Sequence, residues 1–449
     1  MLFPRSSRAR LLRRAAILLS PAALWLAATS ASPRASARRE VADAALPAAA
    51  ADTSRDGFWR ALSLLDIATA SRRAPDAEHR VFLDVLSRIM QGRSSDADAD
   101  LRALTKNAAD SILRRAAYLT LTSVLQYQGD WASLAALADD APVSSPDEDG
   151  GRAGVASWAA AMRGAPRATI LFPSSDAPVA LERSAFGTPM IEVTIGGKQK
   201  HFWLDTGSAL TLIASDVAAE CGLSPLSTDS LEIVTTVGRV TAEPTFVPRI
   251  AFGGIVAEHI VAAIVSRQAL SFNRKRVRHS DAVILVDGVI GIDLLRHFDI
   301  RLDFERSRVS LRRPAISIAD RDRQRNLFWL GFPVVRLNGP NGGPMYFGLD
   351  TGADSTYATS ALLSMMPRLG YRKRELRISG IGGDTTMLVG TLPELRFTIE
   401  GRAFRFDNLA IRDDRRLVFL DLAGVLGSDI ARGGTMRIDL TNGLFRLSP

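Results

Sequence analysis

The sequence predicts a multidomain α+β protein, an N-terminal α-helical hairpin region followed by a two-lobed all-β unit. Three observations predict it. From about Arg55 to Asp139 apolar residues recur at helical spacing. From Pro178 onward the period shifts to that of strands. Within this β-patterned region a single module occurs twice, its centre reading Phe202-Trp203-Leu204-Asp205-Thr206-Gly207-Ser208 and, 145 residues later, Phe347-Gly348-Leu349-Asp350-Thr351-Gly352-Ala353.

Taken in order, residues 1–37 read as a targeting segment. Arg5, Arg8, Arg10, Arg13 and Arg14 precede an apolar run from Ala15 to Ala28, and Ala35-Ser36-Ala37 offers a small-residue cleavage site, with Ala31 as an alternative. A run this short does not span a bilayer comfortably, so a cleavable signal peptide and export to a bacterial periplasm or beyond are expected rather than a stable membrane anchor. The leader's six arginines and no acids account for most of the formal +8, leaving +2 on the remainder. Nucleic acid is therefore not an implied partner. Cys221 is the single cysteine, so no internal disulfide can form and folding must rest on burial.

A flexible segment, 38–54, precedes the helical domain, 55–140. Phe58, Leu62 and Leu65, then Val81, Leu83, Val85, Leu86 and Ile89, keep roughly helical spacing. Ser95 or Asp96 can cap one helix and Asp110 another, and Gly129-Asp130 separates the last. The turn Tyr127-Gln128-Gly129-Asp130-Trp131 loosely resembles that of a tetratricopeptide-type repeat, without a firm period behind it. This region reads equally as a helical prodomain or spacer and as a module for a protein partner. A linker with a short helix, 141–177, follows, rich in Pro, Ser, Asp and Gly.

The first lobe is assigned to 178–313 and the second to 314–449. Apolar strands close on Gly196-Gly197, a hairpin signal, and the next strand delivers Asp205. A second hairpin turns at Val237-Gly238; its counterpart turns at Gly380-Ile381-Gly382-Gly383. Hairpins tipped with glycine between each Asp and the later Gly are candidate flaps over a cleft. Each module then carries apolar-apolar-Gly, Val289-Ile290-Gly291 and Val425-Leu426-Gly427, and twelve residues beyond each Gly an Asp, Asp303 or Asp439. Asp293 and Asp429 stand before helix-like runs, where capping is the expected task. The basic stretch Arg274 to His279 reads as a solvated loop.

Two strand-borne carboxyl groups brought face to face cannot both ionise cheaply, because like charges about 3 Å apart hold one proton between them. Such a pair can deprotonate a water with one member and donate to a carbonyl oxygen with the other. That is peptide hydrolysis without metal, cofactor or covalent intermediate.

In these residues the chain resembles the aspartic proteases, specifically retropepsin-like bacterial aspartyl proteases with two Asp-Thr-Gly lobes in one chain. The resemblance covers about Pro178 to Ser448 and implies a double acid-protease barrel. It implies an aspartic endopeptidase acting on peptide or protein substrates, with Asp205 and Asp350 as the catalytic dyad. Thr206, Gly207, Ser208, Thr351, Gly352, Ala353, Gly291 and Gly427 would support the active-site loops, the threonines by hydroxyl-to-backbone bonds between them. Val237, Gly238, Gly380, Ile381, Gly382 and Gly383 would form the flaps. Ser208 against Ala353 is an asymmetry: a hydroxyl near Asp205 would favour its ionised form. The flap tyrosine of pepsin-like enzymes is missing. The competing readings are a noncatalytic peptide-binding double barrel and a scaffold in which the helical region does the work. Local motifs for metalloprotease, serine hydrolase or nucleotide chemistry are absent from the sequence.

Overall fold

The computed structural model describes residues 15–17, 54–137, 158–174, 178–184, 186–227, 231–273, 283–317, 324–339, 342–412 and 420–448. The expected cleavage site at Ala35 to Ala37, the linker chemistry of 141–154 and the basic stretch Arg274 to His279 lie outside them. Within the leader, Ala15–Ile17 form a short strand parallel to Leu231–Ile233.

Helices come first: α1 (Ser54–Ser63), α2 (Ile67–Arg72), α3 (Ala77–Met90), α4 (Asp98–Asn107), α5 (Ser111–Gln128) and α6 (Trp131–Leu137). Their boundaries follow from capping chemistry. The Asp76 side chain accepts from His79 N and the Asp110 side chain from Ile112 N, each satisfying an otherwise orphaned amide at a helix start. Gly129, at φ 70°, closes α5 in the left-handed conformation that lacks a penalty only without a Cβ. Helix α3 buries Phe82, Leu83, Leu86 and Ile89 at three- and four-residue steps, while α5 is buried on nearly every face from Leu113 to Leu125, as a central helix must be. Ser95 and Asp96 do not cap a helix. They lie in a 3₁₀ turn, Ser94–Ala97, and α4 starts at Asp98 without a side-chain cap.

The first lobe contains β2 (Pro189–Ile195), β3 (Lys198–Leu204), β4 (Thr211–Ala214), β5 (Leu231–Thr235), β6 (Gly238–Phe252), β7 (Ile255–Val265) and β8 (Gly288–Ile290), preceded by β1 (Val179–Ala180). Pairing runs β5-β6-β7-β4-β8-β3-β2, and β2 returns to β6 through Thr194↔Ala251 and Ile195↔Ile250. Six strands, β2-β3-β8-β4-β7-β6, thus close into a barrel and leave no open edge among themselves. The stretch read as linker contributes too, since Thr169–Leu171 pairs with Val256–Glu258 of β7.

Two further strands, β9 (Asp299–Asp303) and β10 (Arg308–Arg312), lead to the second lobe. It repeats the first with β11 (Pro333–Asn338), β12 (Pro344–Leu349), β13 (Tyr357–Ala358), β14 (Arg372–Gly380), β15 (Gly383–Ile399), β16 (Arg402–Ile411) and β17 (Gly424–Leu426). Its order, β14-β15-β16-β13-β17-β12-β11, matches the first lobe strand for strand. Among the described residues, the pairing that closes the first barrel has no counterpart between β11 and β15. The lobes are joined by a five-stranded sheet in which β9 pairs with β18 (Thr435–Asp439), flanked by β10 and β1 on one side and β19 (Leu444–Ser448) on the other.

The helical region is packed onto both lobes. Leu65 is buried in a cluster with Phe328, Phe332, Val334 and Tyr346 of the second lobe, with Met90 against it. The Ser63 carbonyl accepts from Asp421 N at 2.6 Å. Among the described residues, no helix is long and apolar enough to cross a membrane.

Candidate active site

Strands β3 and β12 each end one residue short of an Asp, and the local chain dictates where that Asp goes. Phe202, Trp203 and Leu204, like Phe347 and Leu349, are buried, so the strand end is anchored in its lobe's core. Parallel pairing of β3 with β8, and of β12 with β17, then lets Asp205 N donate to Ile290 O and Asp350 N to Leu426 O, both at 3.0 Å. The two aspartates are 8% and 6% exposed, which leaves them sheltered but reachable.

The two loops cross. Thr206 N donates to Thr351 Oγ1 at 3.0 Å and Thr351 N to Thr206 Oγ1 at 3.1 Å. Each hydroxyl in turn donates across the boundary, Thr206 to the Leu349 carbonyl at 2.8 Å and Thr351 to the Leu204 carbonyl at 2.6 Å. Both threonines are buried, so all four bonds are shielded from competing water.

The glycines set how close the acids come. A Cβ on Gly207 would lie 2.5 Å from the carboxyl carbon of Asp350, and one on Gly352 would lie 2.4 Å from that of Asp205. Each carboxyl group therefore rests against the other lobe's loop. Within its own loop Asp205 Oδ1 accepts from Gly207 N at 2.7 Å, and Asp350 Oδ1 accepts from Ala353 N at 3.0 Å. The Ser208 hydroxyl, expected to favour the ionised form of Asp205, instead donates to the Leu210 carbonyl at 2.7 Å.

Gly291 and Gly427 lie directly behind these loops. A Cβ on Gly291 would fall 2.4 Å from the Leu210 carbonyl carbon, and one on Gly427 2.7 Å from that of Ser355. Their neighbours complete the seat, Ile292 N donating to Ser208 O and Ser428 N to Ala353 O, both at 2.8 Å.

Asp293 and Asp429 do not cap the helices that follow. Gly291 and Gly427 hold the cap positions, with no side-chain cap bond, and the aspartates turn inward. Thr211 Oγ1 donates to Asp293 Oδ1 at 3.1 Å and accepts from Gly291 N at 3.3 Å. Thr356 Oγ1 donates to Asp429 Oδ1 at 2.7 Å and accepts from Gly427 N at 3.0 Å. Burial pushes Asp293 up to about 6, against the lowering effect of its Thr211 bonds and of Arg296. Burial raises Asp429 as well, opposed by Thr356. Thr211 and Thr356 are not singled out by sequence reasoning, although a signal existed: each stands six residues after its lobe's Asp.

The tip of the β5–β6 hairpin meets that of β14–β15. A Cβ on Gly380 would lie 3.3 Å from Val237 Cγ1, and one on Gly382 2.7 Å from Val240 Cγ2. Gly382 N donates to the Ala269 carbonyl of the first lobe at 2.9 Å. Gly238, Gly382 and Gly383 have φ of 154°, 99° and 131°, turns for which a side chain would be strained.

Residues 191–297 match the family model described as "gag-polyprotein putative aspartyl protease". No curated protein matches the chain. The family match spans the closed barrel, Asp205 and Gly291, and the second lobe repeats the same strand order around Asp350. Residues 191–297 thus match a retropepsin-like aspartyl protease, with a closed six-stranded barrel consistent with that fold, and the second lobe repeats the strand order of the first.

Proposed function

We propose that the protein is an exported aspartic endopeptidase whose dyad is Asp205 and Asp350. The observation that carries this reading is reciprocal packing: each carboxyl group lies against the opposite lobe's loop glycine, so both acids converge on the axis between the lobes. A peptide laid across that axis would present its scissile carbonyl to both.

The chemistry follows from one shared proton. The ionised carboxylate takes a proton from a water held between the acids, and the water oxygen bonds to the carbonyl carbon. The protonated partner gives its proton to the carbonyl oxygen, yielding a neutral gem-diol. The carboxyl group that took the water's proton then gives it to the amide nitrogen while its ionised partner takes a proton from a gem-diol hydroxyl; the C–N bond breaks, a carboxylic acid and an amine leave, and the dyad again holds one proton. The backbone amides of Gly207 and Ala353, donating to Asp205 and Asp350, hold each carboxyl plane in place during the exchange. Flap glycines allow the hairpins to part for a substrate and meet again over it.

The test is hydrolysis of a mixed peptide library by the purified protein from acidic to neutral pH, with and without a statine-type inhibitor. Cleavage that the inhibitor blocks, and that Asp205→Asn and Asp350→Asn each lower by about 10³-fold or more, supports the reading. Binding without cleavage, unchanged in both variants, would establish a noncatalytic peptide binder instead. Export rests on the arginine-led apolar leader, and a mature protein recovered from the periplasm with Arg38 at its N-terminus is the expected result.

A further inference from the structure

We propose that the C-terminal turn of α5, from Gln126 to Gly129, is a socket that positions the two Asp-Thr-Gly loops by seating one residue from each lobe. The proposal rests on the peptidase reading and adds a task for the helical region. On this view that region is an internal positioning element, not a prodomain to be shed.

The centre of the socket is Tyr127. One contact is with the second lobe: its ring stacks on Trp329 with centroids 4.8 Å apart and planes 22° from parallel. Another is with the first lobe, where the guanidinium carbon of Arg296 sits 5.2 Å from the ring centroid. Arg296 Nη1 also donates to the Gln126 carbonyl at 3.4 Å. That carbonyl, which also accepts from Gly129 N at 3.0 Å, belongs to the last turn of an 18-residue helix, whose dipole favours a cation. Gly129 leaves room for the guanidinium, since a Cβ there would lie 3.3 Å from Arg296 Nη2.

Burial lowers the pKa of Arg296, and Tyr127 and Asp293 are the groups that oppose this electrostatically. The cation is thus drawn out of water onto a helix end supplied by the helical region. An arginine that only decorated the surface would not be held this way.

Both contacts lie a short step from the site. Arg296 caps the short helix Ile292–Leu295, whose first residue donates to Ser208 O beside Asp205. Trp329 pairs with Pro333, and the next strand residue, Val334, pairs with Gly348 two positions before Asp350. A shift of α5 therefore moves the backing of both acids through stiff, hydrogen-bonded elements. It also accounts for the Tyr127-Gln128-Gly129 turn, which otherwise has no role in the peptidase.

The experiment uses the full-length protein and two readouts. Hydrogen exchange at the Thr206 and Thr351 amides reports the crossing of the loops without requiring catalysis. Steady-state kinetics on a cleaved library peptide separates kcat from KM. Tyr127→Ala and, from the second lobe, Trp329→Leu are expected to speed exchange at both threonines about tenfold and to lower kcat about tenfold, with KM within about twofold. Tyr127→Phe, which keeps the ring, restores both. Unchanged exchange and kcat in the two disruptive variants would overturn the proposal. If Tyr127→Ala does not fold, Trp329→Leu decides alone. Faster exchange in a protein that cleaves no peptide would leave the socket standing and remove the peptidase reading.

Discussion

Thr206 and Thr351 exchange hydrogen bonds symmetrically, each amide donating to the other's hydroxyl at 3.0 and 3.1 Å, across 145 residues of chain. Each hydroxyl is both acceptor and donor, so removing one breaks a bond in each direction.

Thr351→Ala is accordingly expected to leave the Thr206 amide and the Leu204 carbonyl without partners. An unsatisfied buried group costs about 1–3 kcal/mol, and here the loss falls on the contact between lobes. Thr351→Ser, which keeps the hydroxyl, should recover most of that. Urea unfolding of the three proteins gives the difference directly.

Gly352→Ala should abolish peptide cleavage, because the added methyl would lie 2.4 Å from the carboxyl carbon of Asp205 and must push it off the axis. Gly370→Ala meets nothing within 4 Å and is the matched control. Hydrolysis rates for the pair, with circular dichroism to confirm folding, test the close approach.

Thr356→Val preserves shape but removes the oxygen that joins Gly427 N to Asp429 Oδ1. A loss of about 1–3 kcal/mol in stability is expected, together with reduced kcat as the backing of the Asp350 loop loosens. Thr356→Ser should behave close to wild type. The same comparison at Thr211 tests whether the duplicated arrangement serves both lobes alike.

Stability should also depend on Asp293. Its folded pKa is raised from an ordinary 3.8 to about 6, so the folded state binds the extra proton and the stability this group contributes is lost as pH rises from about 4 to about 6. The groups facing the carboxyl are Thr211 and Arg296, and neither titrates in that window. Burial lowers the neighbouring His297 to about 4, which works in the opposite direction over the same window, so the effect is read as a difference: Asp293→Asn should lose stability relative to wild type at pH 4 and converge with it above pH 6. Urea midpoints at pH 4, 5, 6 and 7 check the sign.

The doubled Asp-Thr-Gly, the later glycines and the hairpin tips were legible because each recurs with the same neighbours in both lobes. Thr211 and Thr356 carried the same signal but lack the conspicuous chemistry of an acid. Asp293 and Asp429 were visible yet misread as caps: position alone suggests a helix start, whereas the buried threonine that draws each carboxyl inward is a tertiary partner 82 residues upstream in the first lobe and 73 in the second. The seat of the helical region was not legible at all. Arg296 and Trp329 are single residues with no period or repeat to mark them, and only packing brings them to Tyr127.

The central strands of the joining sheet meet in a symmetric register. Arg301 pairs with Arg437, its own counterpart in the repeat, while Asp299 meets Asp439 and Asp303 meets Thr435. The edge is thus self-complementary, the property an isologous homodimer requires. A single lobe cut free of its partner would therefore expose in β9 an edge able to pair, in this same register, with that of a second copy.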